Sequence, residues 1–190
     1  MRSLVRTSSV AAVLIAALAV GSPNGKLPAH YETATLAGGC FWGLQESLRQ
    51  VPGVIKTTVG YTGGITPNPT YEMVGTGKTG HAEAVQVIFD PAKLSYEELL
   101  NHFFCVHDPT SPRLQTNGVQ AQYRSAIFYH GEAQRQMAGR VKEKFSQSGK
   151  WSNPVVTEIT PAAEFYPAEA YHQDYLQRIS GGHTCRLVRN

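Results

Sequence analysis

Glu32-Thr33-Ala34-Thr35-Leu36-Ala37-Gly38-Gly39-Cys40-Phe41-Trp42-Gly43-Leu44-Gln45-Glu46-Ser47-Leu48-Arg49-Gln50 is the stretch on which the reading of the fold turns. Glu32 to Ala37 reads as a short strand that ends at Gly38-Gly39, and Trp42 to Gln50 has helical composition, stopped by Pro52-Gly53. A strand that passes into a helix across two glycines leaves Cys40 where the helix begins. Unpaired backbone N–H groups at a helix N-terminus favour an anion. A thiolate is stabilised there, and the thiolate is the nucleophilic form of cysteine. Phe41 and Trp42 add an apolar wall beside it. The plainer alternative is a buried small residue next to two core aromatics; the glycine frame favours the functional one.

The pattern continues outward as a mixed α/β order within one domain. Val54 to Tyr61 is β-branched and reads as a strand, and residues 62–80 form a long loop rich in Gly, Thr, Pro and Asn. Ala82 to Phe89 alternates, with Ala82, Ala84, Gln86 and Ile88 on one side and Glu83, Val85, Val87 and Phe89 on the other. Ser95 with Glu98 forms a capping box that opens a helix over Tyr96 to Cys105. A second long loop covers 108–121. Strands are expected at Tyr123 to Tyr129 and Val155 to Ile159, and an amphipathic helix at Glu132 to Gln147 through Met137, Val141 and Phe145. A last helix is expected from Pro167 to Ile179, with proline at its first position. Loops of this length in one domain usually carry function.

The chain ends read differently from the middle. Arg2 and Arg6 followed by the apolar run Val10 to Val20 resemble a signal peptide over residues 1–21, with Ala17 and Ala19, or Ala19 and Gly21, at cleavage spacing. Residues 22–30 read as a linker, 31–180 as the catalytic domain and 181–190 as a C-terminal tail. Export to a periplasm or the exterior follows as an expectation. Hydrophobic residues are 42% and charged residues 16% of the 190, a globular composition. The formal charge of +3 falls to +1 without the two leader arginines, which gives no reason to expect a nucleic acid or polyanion as partner. Cys40, Cys105 and Cys185 are an odd number for an oxidising compartment, so one pair with one spare is the simplest assignment.

Three further side chains have the right chemistry to work with a thiolate. Glu83 shares a strand face with Val85, Val87 and Phe89, where desolvation raises a carboxyl pKa and can keep it protonated. A neutral acid beside a thiolate can protonate a leaving oxygen; a strand-end glutamate reaching solvent is the equal alternative. Tyr71 and Tyr123 carry phenols able to donate to a developing oxyanion, although most tyrosines are simply structural. The seven histidines and three cysteines show no CxxC, HExxH or paired zinc spacing, so no metal is expected.

Several motifs in order match one family. Gly39-Cys40-Phe41-Trp42-Gly43, Gly60-Tyr61-Thr62-Gly63-Gly64, Pro67-Asn68-Pro69-Thr70-Tyr71, Gly80-His81-Ala82-Glu83-Ala84-Val85, His107-Asp108-Pro109, Gln122-Tyr123-Arg124-Ser125 and Tyr171-His172-Gln173-Asp174-Tyr175-Leu176 resemble the A-type peptide methionine sulfoxide reductases. The resemblance covers about residues 31–180. It implies an α+β two-layer sandwich with a ferredoxin-like core and long coil segments. It also implies reduction of methionine-S-sulfoxide, with Cys40 as nucleophile, Glu83 as acid, and Tyr71 and Tyr123 as hydrogen-bond donors to the sulfoxide oxygen. Phe41 and Trp42 would hold the substrate's S-methyl group. Cys185, beyond Gly181-Gly182, matches the cysteine that resolves the Cys40 sulfenic acid into a disulfide. A thioredoxin-like dithiol would then reduce that disulfide, and no cofactor is needed. Cys105, beside Phe103 and Phe104, is expected to be a buried bystander.

One stretch departs from the family pattern. Gly118-Val119-Gln120 stands where Asp-x-Gly is usual, which removes an aspartate from the network around the site. Activity is expected to be retained but reduced, with Gln120 or water in place of the carboxylate. A thiol peroxidase-like redox protein, and a degenerate relative that only binds oxidised methionine, are the other two readings.

Overall fold

β3 (Ala82–Phe89) holds the molecule together, because one of its faces is buried throughout, the other is buried over its first half, and both its edges are paired. β1 (Glu32–Ala37) pairs with it antiparallel, Glu32 opposite Phe89 and Leu36 opposite Val85. β2 (Val54–Thr62) pairs along its other edge, with Tyr61 opposite Glu83. The computed structural model describes residues 30–111 and 120–180. Within them the remaining elements are α1 (Phe41–Arg49), α2 (Tyr71–Gly75), α3 (Tyr96–Val106), β4 (Ala126–Tyr129), α4 (Glu132–Gln147), β5 (Glu158–Pro161), β6 (Tyr166–Pro167) and α5 (Tyr175–Ser180).

The sheet order is β5-β4-β1-β3-β2-β6. β4, β1, β3 and β2 are antiparallel neighbours, with α1 joining β1 to β2 and α3 joining β3 to β4. These two interleaved crossovers make the expected ferredoxin-like core. β5 extends it in parallel beside β4, and the two-residue β6 closes the far edge against Gly60 and Tyr61.

Alternation along β3 decides which residues meet the helices. Val85, Val87 and Phe89 join Leu36, Phe41, Leu44, Leu48, Leu99, Leu100, Phe103 and Phe104 in the main core, as the side assignment from sequence requires. Each such side chain contributes roughly 1.5–3 kcal/mol on leaving water. The opposite face is built from small residues, Ala37, Ala82, Ala84 and Ala126, with Phe128. Their size lets the coil bearing Ala162 and Phe165 lie close against the sheet. The Ser95–Glu98 capping box opens α3 as expected, the Ser95 side chain accepting from the Glu98 N–H and the Glu98 side chain from that of Ser95.

The structure differs from the sequence reading at several places, each for a local reason. The 62–80 loop contains α2, capped by Thr70, whose side chain accepts from the Met73 N–H. Tyr123 lies in a 3-10 turn over Ala121–Tyr123 and does not open a strand; β4 starts only at Ala126. Val155 to Thr157 precede the strand, because the Val156 N–H donates to the Pro109 carbonyl and pairing with the sheet edge starts at Glu158. The expected helix from Pro167 to Ile179 breaks into β6, a 3-10 turn at Ala170–His172 and α5. Asp174 there has φ 51, and the Gln173 side chain is engaged by the N–H and carbonyl of Val59 instead of a helical turn. Cys105 is exposed, not buried: Phe103 and Phe104 take the core-facing positions of α3, and the next residue turns outward.

Candidate active site

The turn that presents Cys40 is held from two sides. A Cβ at Gly38 would lie 2.9 Å from the rings of His107 and Phe103, so only glycine fits there. Gly39 has φ 83, a left-handed conformation that also favours glycine. Its N–H donates to the Tyr123 carbonyl at 3.2 Å. Cys40 follows as the N-cap of α1, with extended backbone and its carbonyl accepting the first helical bond from Leu44. The side chain is a free, exposed thiol.

The charge state of this thiol corrects the sequence expectation. The N–H groups of Trp42 and Gly43 do favour the thiolate, as a helix N-terminus should. The atoms packed around the sulfur desolvate it although the residue keeps an accessible side, and this, followed by the charge of Glu83, outweighs those N–H groups and pushes the Cys40 thiol above its ordinary value. The helix end supplies a counter-pull that is too small to win alone.

Glu83 is 2% exposed on the helix-facing side of β3. Burial lifts its carboxyl to about 7, against a smaller opposing effect from the Phe41 N–H, which donates to Oε2 at 3.0 Å. That bond occupies one oxygen and leaves Oε1 to carry the acidic proton. Burial and then the negative charge of Glu83 raise Cys40, Tyr71 and Tyr123, and at Tyr61 burial and Glu169 come first with Glu83 behind them. The four side chains read from the sequence as chemical groups, Cys40, Glu83, Tyr71 and Tyr123, thus share one electrostatic environment.

The aromatic wall is clamped by a segment whose roles the sequence did not reveal. Phe41 is fully buried and its ring stacks on Tyr71 at 6.5 Å between centroids. Trp42 stacks on Tyr175 at 3.8 Å and donates from Nε1 to His172 Nδ1 at 3.0 Å. The indole is therefore fixed on one face and at its polar edge. Glu169 accepts from the Tyr71 backbone N–H and from the Tyr61 hydroxyl, both at 2.9 Å, which anchors the start of α2. The visible signal for these partners is the density of Tyr, His, Glu and Gln in residues 164–176.

Tyr123 is set by the turn around it. Gln120 opens that turn at φ 66, where the family pattern carries glycine. Gln120 is exposed and its side chain makes no capping bond to the turn. The Tyr123 phenol is raised by burial and then by the charge of Glu83, with a smaller opposing effect from the neighbouring Gln122 side chain. Gly118 and Cys185 lie outside the described residues.

Among the described residues no group of three or more His, Cys, Asp or Glu is arranged to hold a metal ion. A cavity of about 410 Å³ adjoins Cys40 and runs along α1 past Trp42 and Leu44 to Ser47, closed by the end of α3 and by Leu176. Glu83, Tyr71 and Tyr123 do not line it. The cavity therefore reaches the thiol along a wall that carries neither the acid nor the phenols.

A sulfur nucleophile next to an acid that is still partly protonated at neutrality suits attack on a centre whose oxygen must leave. On that ground the molecule belongs with the thiol-dependent oxidoreductases. The model of the peptide methionine sulfoxide reductase family matches residues 32–190, and the chain belongs to that family. It is 51% identical over 160 residues to the peptide methionine sulfoxide reductase MsrA of Pseudomonas fluorescens, which covers 84% of this chain and 75% of that relative. Reduced Mxr1 from Saccharomyces cerevisiae superposes with a TM-score of 0.76 at 35% identity, covering 86% of this chain and 94% of the yeast protein. Mxr1 in complex with Trx2 gives a TM-score of 0.56 at 30% identity, covering 78% and 86%.

Proposed function

We propose that the protein reduces the S epimer of methionine sulfoxide in proteins to methionine, with Cys40 as nucleophile and Glu83 as acid. The observation that carries this reading is the buried Glu83 carboxyl, lifted to about 7 and bonded to the residue that follows Cys40. The S-methyl group of the substrate rests on Trp42, which the fully buried Phe41 backs from the core, and its oxygen points to the hydroxyls of Tyr71 and Tyr123. Glu83 protonates that oxygen as the Cys40 sulfur attacks the substrate sulfur. The protonated oxygen leaves as the Cys40 and substrate sulfurs bond; water then attacks the Cys40 sulfur and that bond breaks with its electron pair on the substrate sulfur, which leaves Cys40 as a sulfenic acid. Methionine departs, and Glu83 regains its proton from the thiol or from water.

The Cys185 thiol then attacks the sulfenic sulfur, which forms a Cys40–Cys185 disulfide and releases water. A thioredoxin-like dithiol reduces that disulfide; the complex of Mxr1 with Trx2 supports this choice of donor. The external dithiol supplies both electrons, so no cofactor enters. The leader-like residues 1–21 support export to a periplasm or the exterior, where a membrane-relayed dithiol carrier would serve as reductant.

Turnover of S- and R-sulfoxide peptides with dithiothreitol tests this directly. The wild type should consume the S form only, and Cys40→Ser should lose turnover by at least about 10⁴-fold. Tight binding of the peptide without turnover by the folded wild type would leave only the binding reading.

A further inference from the structure

Cys40 borders a cavity that shares Trp42 with the methionine pocket but is lined by none of Glu83, Tyr71 and Tyr123. Its wall is apolar where Trp42, Leu44, Val106 and Leu176 meet, and it extends from Cys40 to Ser47. Asp108 stands in the lining as its one acidic side chain, while His107, the one histidine there, is held by burial at about 4 and so carries no charge near neutrality. An occupant of complementary chemistry is apolar and positively charged.

The chain provides such a segment beside the cavity. Leu176 on the wall belongs to α5, which ends at Ser180, and ten residues follow. They include Cys185-Arg186-Leu187-Val188-Arg189: a thiol, two arginines and an adjacent apolar pair, with no acid. Cys185 is five residues past Ser180, a reach of up to roughly 17 Å for extended chain. We propose that the cavity is the docking site of residues 181–190 and sets the side from which the second thiol reaches Cys40. Leu187 and Val188 occupy the apolar length toward Ser47, and Arg186 pairs with Asp108. Substrate and resolving thiol then approach Cys40 from different sides, so the tail need not wait for the methionine pocket to empty. The step served is the one given above: sulfenic acid plus thiol yields disulfide and water.

This inference rests on the resolving role proposed for Cys185, and the experiment separates the two. Methionine release in a single turnover and the appearance of the Cys40–Cys185 disulfide are timed by rapid quench and mass spectrometry. The proteins compared are the wild type, Ser47→Phe, Asp108→Lys, and Asp108→Lys with Arg186→Glu. Ser47→Phe fills the cavity about two helical turns from Cys40. It should leave the first methionine release within about twofold and slow disulfide formation about tenfold or more. Asp108→Lys should slow disulfide formation likewise, and adding Arg186→Glu should restore most of it. Disulfide formation at the wild-type rate in both single variants overturns the proposal, as does slowed methionine release with disulfide formation intact, which would assign the cavity to substrate. Absence of the Cys40–Cys185 disulfide in the wild type would instead remove the resolving role itself, and this inference with it.

Discussion

Glu83 and Arg124 are both 2% exposed, and the molecule treats them in opposite ways. Arg124 donates from Nε to Glu158 at 3.2 Å, from Nη1 to the Ala121 carbonyl and from Nη2 to the Gly80 carbonyl, each at 3.1 Å. Its charge is answered by a carboxylate and its donors by backbone, so it ties the Tyr123 turn to the entry of β3. Glu83 receives one backbone N–H and no cation among the ion pairs of the described residues. Burial then outweighs the Phe41 N–H and lifts its carboxyl to about 7, so that the proton is held through acid pH and still shared at neutrality. A compensated buried charge holds chain segments together; an uncompensated one stores a reactive proton. The two lie at the two ends of the same short path, since Gly80 is three residues before Glu83.

The comparison breaks most visibly at Glu83. Glu83→Gln keeps an oxygen for the Phe41 N–H but cannot supply the proton, so the rate of methionine release should fall about 10²–10⁴-fold. Stability should move the other way. In the unfolded chain the carboxyl ionises near 4.5, and in the folded protein near 7. The folded state therefore binds the extra proton between those values, and wild-type stability declines as pH rises from about 4.5 to about 7 and then levels. Glu83→Gln lacks that decline and should be more stable than wild type at pH 8 by up to about 3 kcal/mol, measured by urea unfolding. An unchanged stability difference across this range would mean that the carboxyl is not buried in the form proposed.

Arg124 sharpens the contrast with a smaller kinetic and a larger structural cost. Arg124→Met leaves Glu158 without this partner and strands two carbonyls, and should destabilise by about 3–5 kcal/mol at pH 7 in urea unfolding. A loss under about 1 kcal/mol would contradict the structural role assigned to the guanidinium. The smallest effect is expected at Gln120. Its left-handed backbone costs an L-residue about 1–2 kcal/mol, partly offset by the entropy glycine loses on folding. Gln120→Gly should thus raise stability by about 0.5–1 kcal/mol, seen as a higher thermal midpoint. Pairing it with Gly118→Asp should also raise turnover, if the missing aspartate is what limits the site.

Much of this was legible in the chain. Alternation placed Glu83 on the face of Val85, Val87 and Phe89, and that face is the helix-covered one. The glycine pair before Cys40 announced the strand-to-helix turn, and the Ser95–Glu98 box marked the start of α3. What escaped reading depends on distant partners. Tyr123 looked like a strand residue because local composition does not show Arg124 reaching back to Ala121 and across to Gly80. Residues 167–179 looked helical because propensity does not register Gln173 bridging to Val59 or Glu169 serving Tyr61 and Tyr71. The Cys40 thiol was expected to be stabilised as thiolate because a helix end is visible in sequence, whereas its burial and the approach of Glu83 are not.

The most direct test of the central claim is the pH dependence of single-turnover methionine release from an S-sulfoxide peptide between pH 5 and 9, in the wild type and in Glu83→Gln. Thiolate at Cys40 accumulates with pH across this range, so if the stored proton of Glu83 drives the step the wild-type rate should climb and then level through a transition near pH 7 as that proton is lost, and the variant should be slow with that transition absent. A variant that matches the wild type, or that retains the same transition, would contradict the account.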